Sequence, residues 1–422
     1  MKNARNKVNR WVLAVVVSCG VVFGSIFFIG QEARAASNAP DIKIGVAYPL
    51  SGPYSRNGNL MVQGAKAAIG WVNDNGGIKS LGGAKLVPVI VDTGSTVEGA
   101  ASSVERLCRD PEIVMVIGCW SSSLTLAATE VTERLGIPHF SISFVDSLSE
   151  RGFKWGFYPH VKVSRHGELG VGNIIRQARA DGYEIKTAML LGDNMSASMG
   201  LYASSKKVFS KEGIKLLTEE HWSPGTLTDA TPVMQKVRSS NPDLVVWNPS
   251  AISEAQMLLM KRKEMGIKVP FASGAMLGDS SFRQLGDGMD GIILFSPSWP
   301  SKKWPKDWID RTLNQVHKEY SNELWVGQEL AFPWTLIPTM AAILEKAGSR
   351  EHEKIRQVAH EVDLHGVPAT QGMMKQGVAF DETGRIVEKY QDLALIQWQE
   401  GTPVMIYPSD LAVAKPVWPK KK

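Results

Sequence analysis

Segments with the apolar pattern of strands and segments with the apolar spacing of helices alternate through most of this chain, and that alternation narrows the fold more than any other feature. "IKIGVAY", from Ile42, is an apolar β-rich run. "LMVQGAKAAIGWVNDNGG", from Leu60, places apolar residues at helical spacing and stops at glycine. "AKLVPVIVDTG", "IVMVIG" and "IPHFSIS" then read as strands, with "VEGAASSVERLCRD" and "LTLAATEVTERLG" as the helices between them. Short connections in such a series imply crossovers and therefore a parallel, doubly wound sheet.

A second series of the same kind follows "FYPHVKVSRHG". Helix "ELGVGNIIRQARADG", strand "KTAMLLGD", helix "GLYASSKKVFSKEG", strand "LVVWNPS", helix "SEAQMLLMKRKEMG" and strand "VPFASG" complete it. The fold class expected is α/β, with two such halves in tandem. A run rich in Pro and Trp, "SPSWPSKKWPKDW", precedes the long apolar helix "GQELAFPWTLIPTMAAILEKAG". The tail from Gly377 is β-rich, with a hairpin signal at Glu400-Gly401. Its strands have no helices of their own and are expected to complete the two sheets.

The amino terminus calls for a separate reading. Basic residues up to Arg10, an apolar run from Trp11 to Ile29, and Ala33-Arg34-Ala35 make residues 1–35 a secretory leader cut after Ala35. The run is long enough for an uncleaved anchor to remain a second reading, and "VVSC" ending at Cys19 also resembles a lipoprotein signal. Either way the location expected is periplasmic or extracytoplasmic. The leader holds Lys2, Arg5, Lys7, Arg10 and Arg34 against Glu32, so the formal +5 of the 422-residue chain falls to +1 without it. No nucleic acid or other polyanion is implied as a partner. Cys108 and Cys119, near a helix end and at the end of the next strand, are expected to be too far apart for a disulfide and to stay thiols.

Ligands of open parallel sheets sit beyond the carboxyl ends of the strands, where helix N-termini offer unpaired N–H groups. "CWSSS", Cys119 to Ser123, occupies such a place, and Ser121, Ser122 and Ser123 carry hydroxyls that either cap the helix or face an anion. Two neighbouring strand ends converge on the same rim. One is Ser51 to Gly58, which contributes Tyr54 and Asn57, and the other runs from Ser141 through Ile142, Ser143 and Phe144 to Asp146.

"IKIGVAYPLSGPYSRNG…GAKAAIGWVNDNGGI" followed by "VMVIGCWSSSLTLAATEVTERLGIPHFSIS" resembles the periplasmic solute-binding proteins of the Leu/Ile/Val-binding type, which serve ABC importers, and "ALIQWQEGTPVMIYPSDLAVAKPVWP" resembles their C-terminal end. The resemblance implies the type I periplasmic binding protein architecture, two doubly wound lobes joined by three crossover strands and closing on a ligand. Here lobe 1 would comprise 36–161 and 296–388, and lobe 2 would comprise 162–295 and 389–422. The crossings would fall near His160 to Ser164, Phe295 to Ser298 and Glu388 to Leu393. An importer permease in the membrane is the protein partner implied.

Carried over by position, the carboxylate-binding serine of that family falls on Ser121, beside Trp120, and further donors fall on Ile142, Ser143 and Phe144. The family usually shows Ser-Ala-Thr there, so Phe144 puts a ring in place of a hydroxyl. In the second half the family's tyrosine falls on Ala197, its aromatic on Ser250 or Ala251, and its ammonium-holding acid near Met276. A buried ammonium without a carboxylate is costly. Trp120, Phe144, Trp247 and Met276, with Asn194 and Asn248 as neutral polar groups, suit a carboxylate on an apolar or aromatic body. Asp193 and Asp279 keep amino acids in view.

Other chemistry fails on spacing. His360 and His365 are five apart, about 140° around a helix, so they do not make a paired metal site. "GELGVGN" is not the turn of a dinucleotide fingerprint, and no Gly-x-Ser-x-Gly elbow accompanies the serines. Neither an enzyme activity, nor a cofactor, nor a metal is expected. The alternative is a sensing domain or an enzyme on the same two-lobed fold.

Overall fold

In the computed structural model, which describes residues 39–419, the first apolar runs pair into a five-stranded sheet. The predicted leader, 1–35, lies outside the described residues. The strands are β1 (Ile42–Tyr48), β2 (Leu86–Asp92), β3 (Ile113–Gly118), β4 (His139–Phe140) and β5 (Gly156–Phe157), all parallel, in the order β2-β1-β3-β4-β5. Pro88, which has no N–H to donate, is confined to the edge strand β2. Helices α1 (Ser55–Asp74), α2 (Val97–Leu107) and α3 (Ser122–Leu135) make the crossovers. Thr96 caps α2 by accepting from the Gly99 N–H at 3.0 Å, and α3 ends at Gly136, whose φ of 67° suits a residue without Cβ.

The second sheet has seven strands. β6 (Thr187–Asp193), β7 (Lys215–Trp222), β8 (Leu244–Asn248), β9 (Phe271–Gly274) and β10 (Ile292–Ser296) run parallel. After the small ribbon of β11 (Asp363–His365) and β12 (Gly377–Ala379), β13 (Ala394–Gln399) and β14 (Thr402–Tyr407) add antiparallel, giving β14-β13-β10-β9-β8-β6-β7. Helices α4 (Val163–His166), α5 (Asn173–Ala180), α6 (Ser196–Glu212), α7 (Thr231–Ser240) and α8 (Ile252–Glu264) accompany it.

Each sheet is covered on both faces, as alternating side chains require. Ile44, Val46 and Tyr48 point to one side of the first sheet, into a core shared with α1, α9 (Lys306–Val316), α10 (Gln328–Ala331), α11 (Pro333–Ala347) and α12 (His352–Glu361). Ala47 and Val116 point to the other side, among α2 and α3. The second sheet divides its apolar residues in the same way: Leu190 and Val246 lie with α5 and α6, and Leu191 and Trp247 lie with α8.

The alternating pattern and the hairpin are realised: Glu400 and Gly401 both have positive φ, 51° and 74°, as a tight two-residue turn requires. Cys108 and Cys119 are free thiols. Four readings need correction. The strand expected over "IPHFSIS" is reduced to His139 and Phe140, with one more bond from the Ser141 N–H to the Phe157 carbonyl, because Ser141 Oγ takes the Ser143 N–H and Arg385 takes the carbonyls of Ser143 and Val145. The helix expected from Glu168 begins at Val163 and passes through a π-helical turn, Gly167–Gly172. β7 and α7 went unpredicted, since β7 is a half-exposed edge strand whose charges break the alternation. The tail strands β13 and β14 both join the second sheet, and the first gains only the isolated bridge from Tyr158 to Arg385.

Candidate functional site

In each sheet one pair of adjacent strands sends its connections to opposite sides. β1 leads to β2 on one flank and β3 leads to β4 on the other; β6 leads to β7 and β8 to β9 in the same way. A crevice opens beyond the carboxyl ends of such a pair. Both crevices face one cavity of about 90 Å³, room for one small molecule. Tyr54 and Trp120 to Ser123 line it from the first sheet, and Met195 to Ala197 and Asn248 to Ser250 line it from the second.

Trp120 answers why an indole stands where β3 ends. Its backbone is in the left-handed region, φ 66°, and its ring lies 5.3 Å from the Tyr54 ring while touching the cores of both sheets. A bulky residue at positive φ costs roughly 1 kcal/mol or more and persists where its surroundings fix it. Here Ser143 donates to the Trp120 carbonyl at 3.2 Å and sits 2.7 Å from Thr125 Oγ1, and the Cys119 N–H donates to Thr125 Oγ1 at 3.1 Å.

This turn delivers the α3 N-terminus to the cavity. Ser121 is the cap residue, but its hydroxyl makes no capping bond, and α3 has no acidic residue in its first turn. Ser122 lines the cavity, and its buried hydroxyl has no partner among the described residues. The partial positive charge of α3 is therefore unanswered. α6 differs: buried Asp193 accepts from the Met195 N–H at 3.1 Å, Ser198 Oγ at 2.6 Å and the Ser250 N–H at 2.5 Å, so the ends of α6 and α8 already face a carboxylate. The two helix starts meet where Ser123 Oγ and Ser196 Oγ lie 3.4 Å apart.

Apolar and aromatic groups complete the wall. The Phe144 ring stacks on His166 at 4.7 Å and tilts against His160 at 5.0 Å, with Phe295 and Phe332 beyond them. Burial holds both histidines neutral, with His166 at about 4 and His160 well below the usual range. Among the described residues, no Asp, Glu, Lys or Arg lines the cavity.

Of the residues singled out in the sequence, Tyr54, Trp120, Ser121, Ser122, Ser123, Ile142, Phe144, Ala197, Asn248, Ser250 and Met276 meet around this cavity, and Asn57, Ser143, Asp193, Asn194, Trp247, Ala251 and Asp279 do not line it. Trp247 is fully buried in the core, edge-on to Phe271, because β8 turns alternate side chains inward and only Asn248 reaches the rim. Ser143 supports the Trp120 turn from behind. Asn57 faces Glu329 at 3.4 Å, and Asn194 is exposed beside Ser223. Asp279, weighed as an anion for the cavity, is held by Arg56 Nη2 at 2.8 Å, and Glu323 pairs with the same guanidinium. His160 and His166 were not singled out, since their positions carry no periodic signal and only the fold turns them inward. Arg385 was also missed. Fully buried, with burial bringing its pKa to about 10, it holds the backbone on both sides of Phe144 by donating to Ser143 O and Val145 O at 3.1 Å each.

The family model described as periplasmic binding protein matches residues 41–403. Among curated relatives, the Leu/Ile/Val-binding protein homolog 7 of Brucella abortus (strain 2308) is 23% identical over 397 residues, covering 91% of this chain and 96% of that protein. Two solved structures share the fold with a TM-score of 0.71. One is a branched-chain amino acid transporter substrate-binding protein from Streptococcus pneumoniae in complex with isoleucine, 21% identical and covering 86% of this chain and 99% of the other. The second is a solute-binding protein of an ABC transporter from R. palustris in complex with benzoate, 16% identical and covering 90% and 98%.

Proposed function

The chain belongs to the periplasmic binding protein family, and on that footing we propose that it is the extracytoplasmic solute-binding component of an ABC importer and captures a small carboxylate on an apolar or aromatic body. The observation that carries this reading is the unanswered N-terminus of α3 opening into a cavity that no charged side chain lines among the described residues. Ser121, Ser122 and the N–H groups of the first turn of α3 hold the carboxylate, and Trp120, Phe144 and Met276 surround the body. An α-ammonium finds no free carboxylate, because Asp193 and Asp279 are already engaged.

In this reading the two sheets belong to lobes with the boundaries given above, 36–161 with 296–388 and 162–295 with 389–422. Most of the core supports that division, although Val161, Trp299, Trp325 and Met374 pack with the second sheet. Ligand bridges the lobes and shifts their equilibrium toward closure by its higher affinity for the closed form, without bond making or breaking. The leader exports the chain, and the closed form docks on a membrane permease. Among the described residues no helix is long and apolar enough to cross a membrane.

A second reading, capture of a branched-chain amino acid, is favoured by the name of the Brucella relative and by the isoleucine complex. Calorimetry with leucine and with benzoate decides between the two. Benzoate binding with weak or absent leucine binding is the result expected; tight leucine binding without benzoate binding sinks the first reading. Scattering profiles with the bound compound should show compaction, and equal radii at saturation would count against closure.

A further inference from the structure

The aromatic end of the cavity holds two hydrogen-bonding atoms that nothing in the protein uses. His160 Nδ1 lies 3.0 Å from the Val161 carbonyl oxygen, and His166 Nε2 lies 3.2 Å from the same oxygen. A carbonyl only accepts, so each of these nitrogens carries the proton. Each ring is neutral, so the second nitrogen, Nε2 of His160 and Nδ1 of His166, is a lone-pair acceptor. Neither has a partner among the described residues, although both side chains are more than nine-tenths buried and line the cavity.

A site built around an acceptor of this kind discriminates strongly for a ligand that donates to it. A neutral donor fits better than an ammonium. Arg385 lies behind this wall with Nη1 3.5 Å from the His160 carbonyl, and among the described residues no carboxylate lines the cavity, so an ammonium would find no counter-charge there. Three phenyl rings pack around the imidazoles, Phe144 face to face with His166, Phe295 edge-on to it and Phe332 tilted against His160. They suit a flat body.

We infer that His160 and His166 form a hydroxyl-recognition site, so that the ligand class complementary to the whole cavity is a hydroxylated aromatic carboxylate. This inference rests on the carboxylate reading of the α3 end.

The test begins with the unaltered protein. Calorimetry with benzoate, the three hydroxybenzoates and their methoxy counterparts should show one hydroxy isomer binding at least about tenfold tighter than benzoate, with its methoxy counterpart, which cannot donate, no better than benzoate. His160→Phe and His166→Phe are then measured separately. At least one should abolish the preference for the hydroxy isomer while still binding benzoate. Benzoate binding that no hydroxy isomer exceeds overturns the inference and leaves the carboxylate reading standing. A preference that survives in both variants, or leucine binding that depends on these histidines, also overturns it. If no aromatic acid binds at all, both readings fall together.

Discussion

Ser122→Ala separates the two roles a serine can play at the start of a helix, because in this protein they predict opposite signs. The hydroxyl is buried and makes no hydrogen bond among the described residues, so in the empty protein it is a desolvated group without return. Such a group costs about 1–3 kcal/mol, and replacing it with a methyl should stabilise the empty protein by about 1–2 kcal/mol. With an unfolding entropy near 2.1 cal/mol/K per residue, roughly 380 folded residues give about 0.8 kcal/mol/K, so the melting temperature should rise by about 1–3 °C. In the complex proposed above the same hydroxyl would donate to the ligand carboxylate, and losing a bond to a charged group costs about 1.5–3 kcal/mol, roughly ten- to a hundredfold in affinity. Differential scanning calorimetry of the empty protein and isothermal titration with the bound acid read the two effects separately. A variant that melts lower and binds unchanged would refute the reasoning, since it would show the hydroxyl serving the helix, where loss of a cap costs about 0.5–2 kcal/mol.

Three further outcomes follow from the same geometry. Arg56→Ala removes the guanidinium that joins α1 to Asp279 beyond β9 and leaves Asp279 and Glu323 facing each other; breaking such a buried pair costs about 3–5 kcal/mol, so scattering should show a larger radius for the liganded variant, and an unchanged radius and affinity would exclude Arg56 as a clasp. Burial, with the charge of Asp279 adding, pushes the Glu329 carboxyl up from 4.5 to about 7, so its contribution is complete below about pH 4.5 and is lost as pH rises through 7, by roughly 3 kcal/mol. Glu329→Gln should flatten the fall in melting temperature between pH 5 and 8, and an unaltered slope would rule this carboxyl out. Trp247→Phe, in the core rather than the cavity wall, should lower the melting temperature yet keep affinity within about twofold; a large affinity loss in calorimetry would return it to the site.

The alternation of apolar runs determined the α/β class, and the turn at Cys119 to Ser123 determined where one helix N-terminus would open into the cavity, because both follow from local periodicity and from the strand-to-helix change itself. Local pattern could not separate Trp247 from Asn248, since the choice of which alternate residue faces the core is made by α8 and the neighbouring strands. Nor could it reveal that Asp193 and Asp279 are already engaged, or that Arg385 reaches back about 240 residues to hold the backbone around Phe144. His160 and His166 became neighbours, 5.3 Å apart across stacked rings, only when the chain turned into α4 between the sheets. Their neutrality is a product of burial, and burial is a property of the assembled fold rather than of any short stretch of residues.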